Sequence, residues 1–186
     1  MDEQAKKLER FQKKLKKVRM LLMDVDGVLT DGSIILGTGD MELKCFNVQD
    51  GMGITLARYG GIKVGIITGR SSEAVTRRAE ELHFDVLFQN ARDKMDAYEE
   101  ILSRYDLPDR QVCFIGDDLL DLPLLKRAGF PCCVPNAHKD VIGYADYVTK
   151  ASGGRGAVRE IIDMILKKSG LWHKATKKYT RGKDIK

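Results

Sequence analysis

Apolar positions along the chain follow two rhythms, and each predicts a different kind of element. Between residues 5 and 18, Leu8, Phe11, Leu15 and Val18 recur at spacings of three and four with lysines between them, which predicts an amphipathic helix. From Met20 onward the apolar residues gather into short unbroken runs. Met20-Leu21-Leu22-Met23 leads into Val25, and further runs follow at Lys63 to Ile67, Val86 to Phe88, Val112 to Ile115, Pro131 to Val134 and Tyr147-Val148. Runs of this length bounded by glycine or charge suit parallel strands buried on both faces. Helix patterns lie between them, at 51–59, from Ser71 or Ser72 to Leu82, at about 93–105, at 119–127, briefly after Asn136, and at about 157–168.

One stretch breaks the alternation. Ser33 to Leu36 and Met41 to Asn47 flank Gly37-Thr38-Gly39-Asp40, whose residues tolerate positive φ, so a β-hairpin leaving the core is expected over about 33–47. The remainder, repeated strand-helix units with apolar strands, predicts an α/β fold: a Rossmann-like, doubly wound parallel sheet with right-handed crossovers and helices on both faces. The 186 residues fit one compact domain. The expected division is an amphipathic helix over 1–18, the main domain over 19–172 and a basic, flexible tail over 173–186.

Charge first hints at nucleic acid, then withdraws the hint. The net charge is +5, but residues 1–19 hold eight basic and three acidic side chains and residues 167–186 hold eight basic and one acidic, so the body between them is acidic. No aromatics interleave with the lysines as in a single-strand binder, and no nucleic-acid partner is expected. No apolar run reaches the roughly 18 to 20 residues of a membrane span, and the N-terminus lacks the apolar core of a secretion signal. A cytoplasmic protein without a membrane partner is expected. Cys45, Cys113, Cys132 and Cys133 form no C-x-x-C pair and read as reduced thiols, with Cys132 and Cys133 pointing to opposite faces of a strand.

In such sheets ligands bind outside the carboxyl ends of the strands, and there the chain places its chemistry. Asp24-Val25-Asp26-Gly27 ends the first strand, Thr68-Gly69-Arg70 the second, and Gly116-Asp117-Asp118 with Asp121 beyond it the fourth, while Lys94 opens a helix between them. Converging carboxylates repel one another unless a cation offsets them, and oxygen ligands from Asp24, Asp117 and one main-chain carbonyl suit Mg²⁺. The inventory matches hydrolysis of a phosphate monoester. Asp24 is the nucleophile, Asp26 the acid and base, and Lys94 with the Thr68 hydroxyl and N–H holds the phosphoryl oxygens. Taken singly, each motif has a plainer meaning: a turn or calcium loop at Asp24 to Gly27, a helix start at Thr68, a surface lysine at Lys94, a helix N-cap at Asp117-Asp118.

As a set, Asp24-Val25-Asp26-Gly27-Val28, Thr68, Lys94 and Gly116-Asp117-Asp118 with Asp121 resemble the four motifs of the haloacid dehalogenase superfamily. That resemblance implies Mg²⁺ held by Asp24, the carbonyl of Asp26 and Asp117, with Asp118 and Asp121 behind them. Further stretches, LLMDVDGVLTDG, FNVQDGMGI, IITGR, FIGDDLLDLP and GGRGAVREIIDMIL, are similar to 3-deoxy-D-manno-octulosonate 8-phosphate phosphatases over about residues 19–172. Membership implies a cap-less enzyme, the short interval from Asp26 to Thr68 leaving room for a hairpin but no cap, and a homotetramer joined through the hairpin. It also implies a phosphorylated sugar acid as substrate, whose contacts fall to Gly69 and to Arg70 as partner of the carboxylate. Gln49 and Met52 depart from common family residues. Two alternatives stand beside this: a phosphatase of a nine-carbon keto-acid 9-phosphate, and a non-catalytic module that binds phosphorylated ligands.

Overall fold

The structure, a computed structural model, describes residues 3–39 and 41–180. Residues 1–2, at the start of the expected first helix, Asp40, in the expected hairpin turn, and residues 181–186, in the expected tail, lie outside the described residues. In chain order the elements are α1 (Glu3–Lys17), β1 (Met20–Met23), β2 (Ile35–Leu36), β3 (Glu42–Leu43), α2 (Val48–Gly60), β4 (Lys63–Ile67), α3 (Glu73–Glu81), β5 (Val86–Phe88), α4 (Lys94–Tyr105), β6 (Val112–Gly116), α5 (Leu122–Arg127), β7 (Phe130–Cys133), α6 (Lys139–Ile142), β8 (Tyr147–Val148), α7 (Ala157–Lys168) and α8 (Trp172–Thr180). None of these helices is long and apolar enough to cross a membrane.

Six strands form one sheet in the order β5-β4-β1-β6-β7-β8, every neighbouring pair parallel. The chain builds outward from β1 through β4 and β5, then crosses to β6 and builds the other way. The strand order therefore reverses between β1 and β6, and the crevice above their carboxyl ends is where this topology binds ligands.

Successive side chains alternate across the sheet. Leu21, Met23, Val64, Ile66, Cys113, Ile115 and Cys132 pack against α2, α3, α7 and α8. Met20, Leu22, Ile67, Phe114 and Cys133 pack against α4, α5 and α6 on the other face. The adjacent cysteines thus face opposite ways, as their spacing predicts, and all four cysteines are free thiols. Helix α1 docks where the strands begin. Leu15 is fully buried, and the Phe11 ring meets Phe130 edge-on at 5.3 Å between centroids.

Several elements depart from expectation for local reasons. The hairpin strands are only two residues each, with Ile35 opposite Leu43, because the chain after Leu43 turns toward α2. Helix α2 begins at Val48, where the Asn47 side chain accepts from Gln49 N at 2.7 Å and caps it. The helix expected over 119–127 is a 3₁₀ turn, Leu119–Asp121, followed by α5, with Pro123 in the first turn where its missing N–H costs nothing.

The tail expected to be flexible from residue 173 is instead helical through Thr180. Gly170, at φ +73°, ends α7, and Leu171, Trp172 and Ala175 then turn an apolar face to the body. Lys174 Nζ donates to Gly60 O at 3.3 Å and Lys178 Nζ to the Tyr59 hydroxyl at 3.2 Å, so two of the tail's cations bind the C-terminal end of α2.

Candidate active site

Asp24 extends β1 by one residue, its N–H donating to Ile115 O at 3.0 Å, and the chain then folds sharply. The N–H groups of Val28, Leu29 and Thr30 all converge on Val25 O, at 3.2, 2.9 and 3.0 Å. Gly27 makes this turn with φ +89°, and a Cβ there would collide with the Asp117 carboxylate. Glycine is thus required twice at one position, once for the backbone and once for the space Asp117 occupies.

Asp117 follows β6, beside β1, and its surroundings are held from behind by Asp121. The Asp121 side chain is fully buried, with Oδ2 accepting from Asp117 N at 2.9 Å and Asp118 N at 3.2 Å. Its Oδ1 accepts from Lys94 Nζ at 2.6 Å. Lys94 opens α4, whose N-cap Asp93 accepts from Met95 N at 2.8 Å, and its ammonium also lies 3.0 Å from Asp24 Oδ1. Asp118 is exposed and caps the turn that follows, accepting from Leu119 N at 2.7 Å. The plainer N-cap meaning of the Asp117-Asp118 pair therefore holds for Asp118 alone.

Three carboxylates, Asp24, Asp117 and Asp121, bring oxygens within 4.8 Å of one another, with Lys94 as the cation among them. Burial pushes the Asp24 carboxyl up to about 6, Lys94 holding it down and Asp121 pushing it further up. Burial, then Asp24 and Asp121, push Asp117 up to about 8. Burial by itself lowers the Lys94 ammonium, yet Asp24 and Asp121 carry it above its usual value. One lysine does not neutralise this cluster. Lys94 is near enough to Asp24 Oδ1 for an ion pair but outside hydrogen-bond geometry, and Asp117 Oδ1 is buried with no partner. Because Asp121 has both oxygens engaged, the oxygens left for a ligand belong to Asp24 and Asp117. An all-oxygen set with excess negative charge fits a small, hard divalent cation.

A cavity of about 490 Å³ opens above these groups, lined also by Asp26, Thr68, Gly69, Arg70 and Arg92. Thr68 is buried at the end of β4, and its N–H donates to Phe88 O at 2.9 Å, adding a rung to the ladder with β5. The Thr68 N–H expected on the phosphoryl oxygens is therefore already used. Its hydroxyl lies 3.5 Å from Arg70 N, and the Gly69 N–H is next along the chain.

Asp26 points to a second group of charges. Its Oδ1 pairs with Lys44 Nζ, and its Oδ2 lies 3.7 Å from Arg70 Nε. Glu42 Oε1 accepts from an Arg70 terminal nitrogen at 2.9 Å and stands 3.6 Å from Lys44 Nζ. The Ser72 hydroxyl and Arg70 hold the Glu42 carboxyl below its usual range. The sequence reading missed Glu42, Lys44 and Arg92. The first two had a signal, since strand period two puts Glu42 and Lys44 on one face of the hairpin, opposite Met41 and Leu43.

Two of the sequence stretches without an assigned task turn out to brace the turn at Gly27. Asn136 Nδ2 donates to Gly27 O at 3.0 Å and Asn136 Oδ1 accepts from Gly153 N at 2.8 Å, while His138 N donates to Asp117 O at 2.7 Å. Gly153 lies so close that a Cβ would strike Gly27 O. The buried Asp50 accepts from Gly156 N at 3.2 Å and Arg159 N at 2.8 Å, which ties FNVQDG to the glycine loop before α7.

A family model described as haloacid dehalogenase-like hydrolase matches residues 83–162. The chain is 43% identical over 157 residues, 84% of each chain, to the 3-deoxy-D-manno-octulosonate 8-phosphate phosphatase KdsC of Escherichia coli K12. Among solved structures, a 3-deoxy-D-manno-octulosonate 8-phosphate phosphatase from Yersinia pestis superimposes with TM-score 0.86 at 41% identity, covering 88% of this chain and 89% of that one. The Moraxella catarrhalis phosphatase of the same name, in complex with magnesium, phosphate and KDO, gives TM-score 0.86 at 39% identity, covering 89% of this chain and 95% of that one.

Proposed function

This chain belongs to the 3-deoxy-D-manno-octulosonate 8-phosphate phosphatase family of haloacid dehalogenase-like hydrolases, and on that premise we propose that it hydrolyses 3-deoxy-D-manno-octulosonate 8-phosphate to the sugar acid and phosphate. It is a Mg²⁺-dependent phosphatase. The observation that carries the reading is the convergence of Asp24, Asp117 and Lys94 on one cavity at the switch point of the sheet.

The residue roles follow from the chemistry each group can do. An Asp24 oxygen attacks phosphorus and becomes an aspartyl phosphate as the bond to the substrate's O8 breaks. Asp26 gives its proton to that departing oxygen, then takes one from the water that cleaves the aspartyl phosphate, which returns Asp24 to its carboxylate. Lys94, the Thr68 hydroxyl and the Gly69 N–H meet the phosphoryl oxygens, where charge spreads in the transition state. The Asp24 and Asp117 carboxylates and the Asp26 carbonyl are the proposed holders of Mg²⁺, which when bound neutralises charge on the phosphoryl group. Asp121 keeps Asp117 and Lys94 in place, Asp118 caps the turn that carries Asp121, and Arg70 receives the sugar-acid carboxylate.

Residues 19–172 make up the proposed phosphatase domain. The pathway proposed is lipopolysaccharide precursor synthesis, in the cytoplasm. A homotetramer is supported by the hairpin, which leaves Ile34, Leu36, Met41 and Leu43 more than half exposed on a two-stranded sheet with open edges.

Phosphate release from the eight-carbon substrate, from a nine-carbon keto-acid 9-phosphate and from p-nitrophenyl phosphate, each with Mg²⁺ and with EDTA, tests the reading. The eight-carbon ester should be preferred and EDTA should stop release. An eight-carbon ester turned over no better than p-nitrophenyl phosphate would refute the substrate assignment.

A further inference from the structure

Glu42 takes no part in the steps above, yet it reaches into the charged group beside the cavity. We propose that Glu42 is a positioning residue for substrate selection, holding the Arg70 guanidinium at the cavity mouth in the orientation that receives a sugar-acid carboxylate. The inference rests on the reading in which Arg70 meets that carboxylate.

Arg70 needs such a partner. Its side chain is 48% exposed, and a long side chain with that much freedom must surrender it each time a ligand is held. Glu42 Oε1, 2.9 Å from one terminal nitrogen, fixes one edge of the guanidinium. The other terminal nitrogen keeps its N–H groups for an incoming anion.

Charge balance points the same way. Lys44 and Arg70 both face Glu42 and Asp26, and with Asp26 in the protonated form that its acid role requires, Glu42 is the anion that faces both cations; the Lys44 side chain is only 1% exposed. Glu42 gives Arg70 an anchor other than Asp26, so the guanidinium is held at the cavity wall from the hairpin side. Glu42 and Lys44 come from one face of the hairpin, so this small two-stranded unit would serve recognition as well as assembly.

A residue that only fastened the hairpin would, when altered, depress turnover of every substrate alike. Steady-state kinetics with Mg²⁺ separate the two roles, using 3-deoxy-D-manno-octulosonate 8-phosphate and p-nitrophenyl phosphate, which has no carboxylate. Glu42→Gln should raise KM for the sugar-acid ester about tenfold, with kcat and all p-nitrophenyl phosphate constants within about twofold of wild type. Glu42→Asp, which keeps the charge on a shorter stem, should fall between. In an Arg70→Ala background, Glu42→Gln should add nothing. Equal losses on both substrates, no loss on either, or additive effects in the double variant would overturn the inference alone. A wild type that does not prefer the sugar-acid ester would overturn the substrate reading and this inference with it.

Discussion

At the scale of single residues, the site is defined by charge that the protein does not balance alone. Asp24 and Asp117 are raised by burial to about 6 and about 8. A carboxyl whose folded pKa exceeds its unfolded value of about 3.9 binds its proton more tightly in the fold. In metal-free protein these two groups therefore favour folding most at low pH, and that contribution is lost as pH rises from about 4 through about 8. Protons and Mg²⁺ compete for the same oxygens, so Mg²⁺ should stabilise more at about pH 8 than at about pH 5. At a hundredfold excess over Kd the gain is about 2.7 kcal/mol, roughly 5 to 10 °C in Tm for a chain of this size. Thermal scans with EDTA or Mg²⁺ at the two pH values check this, and an equal or larger shift at the lower one contradicts it.

Gly27→Ala forces a methyl against Asp117 in a backbone conformation that disfavours it, and kcat should fall about a hundredfold, with weakened Mg²⁺ affinity in calorimetry. The motif residues were legible in the sequence only as a set, because carboxylates, a threonine and a lysine at successive strand ends all fall on the one crevice where this sheet binds ligands. The Thr68 N–H was misjudged because whether a ladder runs one rung further depends on the partner strand, here Phe88. Glu42 and Lys44 went unnoticed because a charged pair in a hairpin looks like an ordinary solvated face until Asp26 and Arg70 are placed beneath it.

At the scale of elements, the two helices at the chain ends show what periodicity conveys and what composition hides. Helix α1 was legible from four apolar residues at helical spacing, of which Phe11, Leu15 and, just past the helix end, Val18 dock while Leu8 stays exposed. Leu15→Ala should cost about 3 kcal/mol in denaturant unfolding, yet leave kcat/KM unchanged, since α1 packs where the strands begin and the cavity lies where they end. A loss of activity in the folded variant would contradict that separation. Helix α8 was missed because its lysines dominate the composition, while the apolar residues that pack it down, Leu171 just before it with Trp172 and Ala175, are few. The boundaries of α2 and α5 shifted for reasons of capping and proline chemistry that act over one or two residues.

At the scale of the whole molecule, strand order does the work that no single residue can. Asp24 and Asp117 come from positions far apart in the chain, and meet because β1 and β6 are neighbours at the reversal of the sheet. Alternating strands and helices made the doubly wound class legible, but the order of strands is a property of packing that periodicity does not encode. The exposed apolar hairpin extends the same reasoning to assembly. Light scattering should find about four times the chain mass of 20.9 kDa, and Leu36→Asp, at a position 73% exposed, should lower it. A wild type at the mass of one chain contradicts the tetramer.

The central claim is that the Asp24 side chain itself takes up the phosphoryl group. Borohydride reduces an aspartyl phosphate to homoserine, so wild-type enzyme quenched with it during turnover, then mapped by peptide mass spectrometry, reports which residue was phosphorylated. Homoserine at position 24, formed only with substrate and Mg²⁺ present, is the expected result; homoserine at position 26 or 117, or none during active turnover, would contradict the account.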